Sequence, residues 1–232
     1  MDNADFRLVA LLPMKANSAR VVGKNFRPFA GKPLFRWILD TLLSVPEIQQ
    51  VVINTDARSI LADHGLVDGD RIRIRDRKPE LCGDFVSMNL VLADDVAAVS
   101  SQSYLMTHTT NPLLGAGTIQ NAIAAYEKGR AAGTCDSLFT VNRFQTRFYR
   151  ADASPVNHDP KNLVRTQDLE PWFEENSNLY LFNRPSFAST AARIGSMPMM
   201  WEVPRAESAD IDDQEGWDIA ETMCRARTTR PI

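Results

Sequence analysis

The chain has 232 residues, of which 44% are hydrophobic and 24% are charged. These values are ordinary for soluble globular proteins, and the length is sufficient for one large α/β domain with an insertion. The formal net charge of −3 argues weakly against nucleic acids and anionic membranes, and we expect neither as a partner.

The first predicted element is a strand at residues 6–12, whose continuous apolar run is typical of the buried strands of parallel sheets. A polar segment follows it from Pro13. Pro33 is then suited to the first turn of a helix, because apolar residues recur at helical spacing after it: Leu34, Ile38, Leu42 and Val45. The apolar stripe of this helix is expected to pack on the sheet.

Strands and helices alternate along the rest of the chain. Further strands are predicted at residues 50–54, 71–75, 103–107, 137–141, 178–182 and 199–203. Further helices are predicted around Ile60 and Leu61 and at residues 86–99, 118–129 and 213–225, with Thr118 as an N-cap. This order predicts a doubly wound, mostly parallel sheet, with the alternating RIRIR strand at an edge. Residues 142–178 break the rhythm and are predicted to form an insertion.

Two further features bear on the compartment. The cysteines, Cys82, Cys135 and Cys224, are widely spaced, odd in number and not arranged as a metal-binding pair, which predicts three free thiols in a reducing compartment. The N-terminal residues MDNADFR lack an apolar signal region, and no apolar run approaches the roughly 20 residues that span a bilayer. We therefore expect a cytoplasmic protein.

The segment after the first strand is strongly cationic. It carries Lys15, Arg20, Lys24, Arg27 and Lys32. Such groups neutralise phosphate oxygens, and small residues such as Ser18, Gly23 and Gly31 let backbone amides approach an anion. Open α/β sheets bind ligands beyond the carboxyl ends of their strands, which is where this segment lies. A nucleoside triphosphate fits this description, and a solvated surface loop is the alternative.

The segment is not a Walker loop, because Asn25 follows Gly23-Lys24 where Ser or Thr is required, and the chain has no GxGxxG motif. A second candidate site is the pair Asp210 and Asp212. Alternate residues of an extended segment point the same way, and Mg²⁺ prefers one or two carboxylates with phosphate oxygens and waters. The pair therefore predicts Mg²⁺, with Mn²⁺ as an alternative metal. The competing interpretation makes Asp212 a helix N-cap in a capping box with Glu215.

The order Asn17-Ser18, Gly23-Lys24-Asn25 and Gly31-Lys32-Pro33-Leu34 resembles the nucleotide-binding loop of the acylneuraminate cytidylyltransferases. These CMP-sialic acid synthetases are related to the cytidylyltransferases for 3-deoxy-manno-octulosonate. The resemblance extends over about residues 6 to 224. It implies a fold of the nucleotide-diphospho-sugar transferase type, with residues 142–178 as a small dimerisation segment. It also implies a homodimer that joins CTP to a sugar acid and releases pyrophosphate.

The resemblance also implies site residues, position by position. It places Lys15, Ser18, Lys24 and Asn25 at the phosphates, and Arg77 and Ser87 around the cytidine. His108 stands where the family has a glutamine, and its position at the end of a predicted strand places it in the nucleotide cleft. The resemblance assigns metal binding to Asp210 and Asp212. It also places Gln167 and Asn176 in the part of the insertion that faces the substrate. Of these, Lys15 and Lys24, together with Arg20, are predicted to stabilise charge on the phosphates during catalysis.

Several departures from the family pattern affect these expectations. Lys15 stands where the family usually has arginine, and Ala19 replaces a common lysine, so Arg20 is the candidate for the missing cation. Glu174 and Glu175 stand near Asn176, where sialic-acid enzymes present an arginine. A carboxylate facing the acceptor would favour an amino-bearing or hydroxyl-rich substrate, and Glu174 is therefore a candidate substrate-binding residue. The remaining candidates for pairing with an acid group are Arg143, Arg147 and Arg165.

The function predicted from these observations is transfer of CMP from CTP to the anomeric hydroxyl of a nonulosonate-type keto-sugar acid. No side chain is an obvious general base, so metal-assisted deprotonation of the hydroxyl is the more economical hypothesis. The alternatives are another acceptor such as a phosphonate, a nucleotide-sugar glycosyltransferase, and a non-catalytic protein that binds CTP.

Overall fold

The computed structural model describes residues 6–18 and 21–228. Its strands are β1 (Phe6–Leu11), β2 (Pro28–Phe29), β3 (Lys32–Pro33), β4 (Gln50–Thr55), β5 (Ile72–Asp76), β6 (Ser101–Met106), β7 (Ser137–Phe144), β8 (Trp172–Phe182) and β9 (Pro198–Glu202). Its helices are α1 (Leu34–Ser44), α2 (Arg58–Asp63), α3 (Met88–Ala98), α4 (Ala116–Ala131), α5 (Arg184–Thr190) and α6 (Gln214–Thr228). Short 3₁₀ turns lie at Pro79–Leu81, Thr166–Asp168 and Arg205–Glu207.

Seven strands form the main sheet, in the order β5-β4-β1-β6-β8-β7-β9. Strand β8 is antiparallel to both of its neighbours, and the other pairs are parallel. Side chains of β1 alternate between the two faces of the sheet. Leu8 and Ala10 pack with α1 and α4 on one face, and Val9 and Leu11 pack with α3 and α5 on the other. The predicted doubly wound sheet is therefore confirmed, with the RIRIR strand at its edge as β5.

The segment between β1 and α1 contains a structure that the sequence did not predict. Strands β2 and β3 pair as a hairpin with a two-residue loop. The loop residues are Ala30 and Gly31, with φ values of 44° and 100°. Two successive positive φ values give a tight turn that matches the twist of the flanking strands. Gly31 therefore turns the chain at the tip of a hairpin. Pro33 precedes α1 as its N-cap and does not lie in its first turn.

Two helices differ from the prediction. Helix α4 begins at Ala116 with Gly115 as its N-cap, so Thr118 lies inside its first turn. Helix α5 was not predicted, because its seven residues are too few to show an apolar period. Its N-terminus is fixed by a capping box, in which Asn183 accepts from the backbone N–H of Ser186 and the Ser186 side chain accepts from that of Asn183.

The predicted insertion is built on a long hairpin. Strand β7 continues to Phe144 and β8 begins at Trp172, six residues earlier than predicted, and their outer ends pair with each other. Polar residues such as Glu174 and Asn176 concealed this part of the strand in the sequence. Residues 145–171 connect the two strands, and Phe148 stacks on Trp172 with ring centroids 5.3 Å apart.

The three cysteines are free thiols, as predicted, with Cys135 and Cys224 buried. No helix within the described residues has the length and apolar character needed to cross a bilayer.

Candidate active site

A cleft of about 150 Å³ opens at the carboxyl edge of the sheet, next to the ends of β1 and β6. Its polar lining comes from three parts of the chain that the topology brings together. Those residues are Lys15, Asn17, Ser18, Lys24 and Asn25 after β1, Arg77 after β5, and His108, Thr109 and Thr110 after β6. Most of the predicted nucleotide-binding residues therefore share one cleft.

Asn25 holds the cationic segment against the end of β6. Its Nδ2 donates to the main-chain oxygen of Lys15 at 2.8 Å, and its Oδ1 accepts from the Thr109 hydroxyl at 2.6 Å. Both ends of this buried amide are thus used inside the protein. Asn25 shapes the cleft, and direct contact with a nucleotide stays a prediction.

Lys24 reaches from the same segment to the aspartate pair. The lysine is 9% exposed, and its Nζ donates to the main-chain oxygen of Ile211 at 2.6 Å. Burial raises the pKa of Asp210, and the nearby charge of Asp212 raises it further, while the Thr110 hydroxyl and the Lys24 charge act in the opposite direction. The cation and the two carboxylates therefore form one electrostatic cluster beside the cleft.

The capping interpretation of Asp212 is wrong. The side chain that caps α6 is that of Asp213, whose Oδ1 accepts from the backbone N–H of Gly216 at 2.8 Å. Helix α6 begins at Gln214, so Asp213 directly precedes it. Asp210 and Asp212 lie before the cap, in the extended segment, where the sequence predicts that their side chains share a face.

Lys15 is engaged at the mouth of the cleft. Its Nζ donates to Asp84 Oδ1 at 2.9 Å and to the Gly83 main-chain oxygen at 3.3 Å. Ser18 lines the cleft nearby. Arg20 lies outside the described residues, and its role stays a prediction. Lys32 is directed away, because it pairs with Asp40 at 2.5 Å and lies over the Trp37 ring.

The two residues predicted around the cytidine have structural partners. Arg77 is buried and donates to Asn54 Oδ1 at 2.9 Å and to the main-chain oxygens of Asn54 and Met14 at 2.8 and 3.2 Å. Burial lowers the pKa of Arg77, which braces the ends of β1 and β4. Ser87 is the N-cap of α3 and accepts from the backbone N–H of Asn89 at 3.3 Å. Contact of either residue with a nucleotide stays a prediction.

His108 lies in the cleft beside Arg193, a residue that the sequence reasoning missed. The His108 Nε2 is 3.4 Å from Arg193 Nη1, and Arg193 Nη2 lies 3.3 Å from Glu175 Oε1. Desolvation lowers the pKa of His108 to about 3, and the charges of Arg193 and Lys24 act in the same direction. The imidazole is therefore neutral at physiological pH. No local motif marks Arg193, which is 85 residues from His108 in the sequence.

The three predicted substrate-binding residues do not line this cleft. Asn176 is a buried residue of β8, and its side chain forms hydrogen bonds with Thr140 and Asn142 of β7. Gln167 accepts through its main-chain oxygen from Gln145 at 2.6 Å. Glu174 accepts from Asn142 Nδ2 at 2.9 Å and lines a separate groove of the insertion.

Strand alternation explains where the two glutamates point. Neighbouring residues of β8 face opposite sides, so Glu174 faces the groove of the insertion and Glu175 faces Arg193. The acceptor contact predicted for Glu174 therefore has no support in this geometry. The arginines proposed from the sequence also have other partners: Arg143 donates to Gln145, Arg147 to the Val164 main-chain oxygen, and Arg165 to Asp168.

The comparison with known proteins agrees with this geometry. The chain is 26% identical to CMP-N,N'-diacetyllegionaminic acid synthase of Legionella pneumophila, over 94% of this chain and 96% of the relative. It is 24% identical to N-acylneuraminate cytidylyltransferase of Oncorhynchus mykiss, over 92% of this chain and 49% of that protein. A solved structure of CMP:2-keto-3-deoxy-manno-octonic acid synthetase with CTP has the same fold, with a TM-score of 0.68, 13% identity, and 95% and 99% of the two chains covered. Residues 9–203 match the family described as Cytidylyltransferase, and the chain therefore belongs to the cytidylyltransferase family.

Proposed function

We propose that this cytidylyltransferase transfers CMP from CTP to the anomeric hydroxyl of a nonulosonate-type keto-sugar acid and releases pyrophosphate. The observation that carries the proposal is the contact of Lys24 with the segment of Asp210 and Asp212, since it joins a buried cation to two carboxylates at the nucleotide cleft. The names of the relatives, which concern legionaminic acid and N-acylneuraminate, support an acceptor of this class.

The aspartate pair fits a divalent cation. Burial and the charge of Asp212 both disfavour an ionised Asp210, and a bound cation would offset both effects. No cluster of three or more histidine, cysteine, aspartate or glutamate side chains suited to a metal occurs within residues 6–18 and 21–228. A pair of carboxylates matches Mg²⁺, which takes its other ligands from phosphate oxygens and water. When bound by Asp210 and Asp212, the ion would neutralise and align the phosphates, and Mn²⁺ is the alternative.

In the proposed reaction, the anomeric hydroxyl gives its proton to solvent water and its oxygen attacks the α-phosphorus. The bond from that phosphorus to the bridging oxygen breaks, and pyrophosphate leaves with the electron pair of that bond. The protein positions the reactants and stabilises negative charge on the phosphate oxygens through Lys15 and Lys24. His108 is a poor base, because its pKa of about 3 leaves it little affinity for the hydroxyl proton. Its Nε2 faces a donor on Arg193, which favours the tautomer with the proton on Nδ1.

We also propose that the protein is a homodimer that pairs through the insertion. The insertion carries a groove of about 410 Å³ with aromatic walls, formed by Phe144, Phe148, Tyr149, Trp172 and Phe173. Trp172 and Phe173 are 40% and 43% exposed. A cluster of exposed aromatic side chains of this kind is typical of protein interfaces.

A pyrophosphate-release assay tests the proposed function. The purified protein is given Mg²⁺, one nucleoside triphosphate and one acid from a panel of sialic, legionaminic and pseudaminic acids and simple phosphonates. We expect release that depends on CTP, on the metal and on at least one nine-carbon sugar acid. Binding of CTP without pyrophosphate release, across the whole panel, would instead indicate a non-catalytic nucleotide-binding protein. Pyrophosphate release with a phosphonate and with none of the sugar acids would show that the acceptor belongs to another chemical class.

A further inference from the structure

We propose that Arg193 binds the carboxylate of the acceptor sugar acid and thereby determines which acids this enzyme accepts. This inference rests on the proposed function. It names a cation for the acceptor site, which the residues predicted from the sequence did not supply. Glu174 and Glu175 occupy the region where a cation was expected, and Arg193 supplies one there from the connection between α5 and β9.

The position of Arg193 places it on the acceptor side of the cleft. The cationic segment follows β1, which lies on one side of β6 in the sheet, whereas β8 lies on the other side. Arg193 lies over β8, with its guanidinium carbon 3.8 Å from the centre of the Tyr180 ring. Its Nη1 reaches His108, which lines the nucleotide cleft. Arg193 therefore borders the cleft across β6 from the phosphate-binding lysine segment.

Arg193 is held in place without being saturated by its partners. Its contacts with Glu175 and His108 measure 3.3 and 3.4 Å, whereas strong hydrogen bonds between charged groups measure about 2.7–2.9 Å. Across the described residues, its Nε makes no hydrogen bond. Glu175 also accepts from the Tyr180 hydroxyl, so its charge is shared between two donors. The guanidinium thus retains donors for another anion.

The local electrostatics favour that anion. The Arg193 side chain is 18% exposed, so water screens its charge only in part. His108 beside it is neutral, because desolvation lowers its pKa to about 3. Glu175 offsets the charge of Arg193 only in part, because the same carboxylate oxygen also accepts from the Tyr180 hydroxyl. A substrate anion at this place would therefore meet a partly screened guanidinium beside a neutral imidazole.

The chemistry of the substrate indicates a carboxylate. In a keto-sugar acid the carboxylate is attached to the anomeric carbon, next to the hydroxyl that attacks phosphorus. The group that recognises this carboxylate must lie beside the reacting centre, and Arg193 meets that requirement through its contact with His108. A planar guanidinium also matches a carboxylate with two parallel hydrogen bonds. The phosphates already have Lys15 and Lys24 on the other side of the cleft.

The test compares Arg193→Met, Arg193→Lys and the double variant Arg193→Met/Glu175→Gln with wild type. Each is assayed with the best acid of the panel and with the same sugar bearing a carboxamide in place of the carboxylate. For Arg193→Met we expect KM for the acid to rise ~30-fold or more and the preference for acid over amide to be lost, as is typical when a bidentate charge pair is removed. The Kd for CTP, measured by calorimetry, should change less than ~2-fold, because the nucleotide binds across β6. Arg193→Lys should have a KM and an acid preference between those of wild type and Arg193→Met. Lysine keeps the positive charge but lacks the planar guanidinium that forms two parallel hydrogen bonds.

The double variant separates recognition from structure. If Arg193 only neutralised Glu175, removing both charges would restore the KM and the acid preference, and this result would overturn the proposal. We expect both defects to persist in the double variant. Arg225→Met is the matched control, because Arg225 also pairs with a carboxylate, Glu221, at 2.6 Å, but does so on α6. It should behave as wild type.

The other outcomes are equally decisive. An unchanged KM and an unchanged acid preference in Arg193→Met would refute the assignment while leaving the proposed function intact. A large rise in the Kd for CTP would assign Arg193 to the nucleotide instead. If the wild-type protein released no pyrophosphate with any acid of the panel, this result would refute both the proposed function and the assignment of Arg193.

Discussion

The Nζ of Lys24 donates a hydrogen bond of 2.6 Å to the main-chain oxygen of Ile211, the residue between Asp210 and Asp212. The two segments are 187 residues apart in the sequence. This bond fixes the segment of the carboxylates relative to the cationic loop. We expect a buried ammonium in this place to stabilise the developing phosphate charge as well as to hold the carboxylate pair in position.

Replacing Lys24 by methionine should therefore lower kcat by ~100-fold or more, the range seen when one charge-stabilising donor is removed from a transition state. Methionine fills a similar volume but removes the donor to the Ile211 oxygen, so we expect a lower melting temperature and a protein that is still folded at the assay temperature. Steady-state pyrophosphate release and a thermal melt measure the two effects. The control is Lys32→Met, which removes a lysine from the same segment but one that pairs with Asp40. A Lys24→Met enzyme with near-normal kcat would contradict this assignment.

The aspartate pair gives a second prediction. Asp210→Asn and Asp212→Asn should each lower turnover by ~100-fold or more and shift the Mg²⁺ dependence to higher concentration, because each removes a charged metal ligand. Asp213→Asn is the matched control, since asparagine also caps helices well and α6 should remain intact. A metal titration of activity measures the effect. Equal behaviour of the three variants would mean that the pair does not hold the metal.

The sequence was sufficient where the chemistry is local in the chain. Two local patterns predict a polyanion site from residues that are neighbours in the sequence. One is a buried strand that ends in a cationic segment, and the other is a pair of aspartates at alternate positions. The topology of an open α/β sheet then brings the ends of β1 and β6 together. The structure brings Lys24 into contact with the Asp210 segment, and the roles of both in binding phosphate and metal stay predictions.

The sequence was insufficient where a role depends on tertiary pairing. Arg193 and Glu175 meet because the α5–β9 connection passes over β8, and α5 itself is too short to have a periodic signature. The sequence pattern predicts a start of β8 six residues after the observed start at Trp172, so it does not show that Glu174 and Glu175 alternate between two faces of the strand. The missing information was the path of a connection over the sheet in the first case and the start of one strand in the second.

A third prediction concerns assembly. Phe173→Glu should convert a dimer into a monomer, because a charge buried at the centre of an apolar interface is strongly unfavourable. Phe173 is 43% exposed in the groove of the insertion. Light scattering at micromolar concentration measures the mass of the wild type and of the variant. Val67→Glu is the control, because Val67 is an exposed apolar residue outside that groove. A wild-type protein that is monomeric at this concentration would refute the proposed dimer.

The last prediction uses a buried ionic network next to the cleft. Asp95 is fully buried on α3, where it accepts from Asn54 Nδ2 at 2.7 Å and pairs with Arg75 on β5. Burial raises the pKa of Asp95 from 3.8 to about 6. Its neighbour Asp94 differs: burial acts to raise its pKa, but hydrogen bonds from Lys78 and Arg75 outweigh this effect and lower it. The two adjacent aspartates therefore affect stability with opposite signs.

Between pH 3.8 and about 6 the native protein holds the Asp95 proton and the unfolded chain does not, so the free energy of unfolding falls as the pH rises through this window. The fall attributable to Asp95 is about 3 kcal/mol over the whole window, at about 1.4 kcal/mol per pKa unit. Asp95→Asn cannot titrate, so the stability of wild type relative to Asp95→Asn should decrease by most of this amount from pH 4 to pH 7. Asp94→Asn should show the opposite sign: the stability that the ionised Asp94 gives to wild type is lost as the pH falls below 3.8, because the unfolded chain binds this proton before the native protein does. Urea denaturation at pH 3, 4, 5, 6 and 7 measures both series. Parallel stability curves for wild type and Asp95→Asn from pH 4 to pH 7 would show that the pKa of Asp95 is not raised in the folded protein.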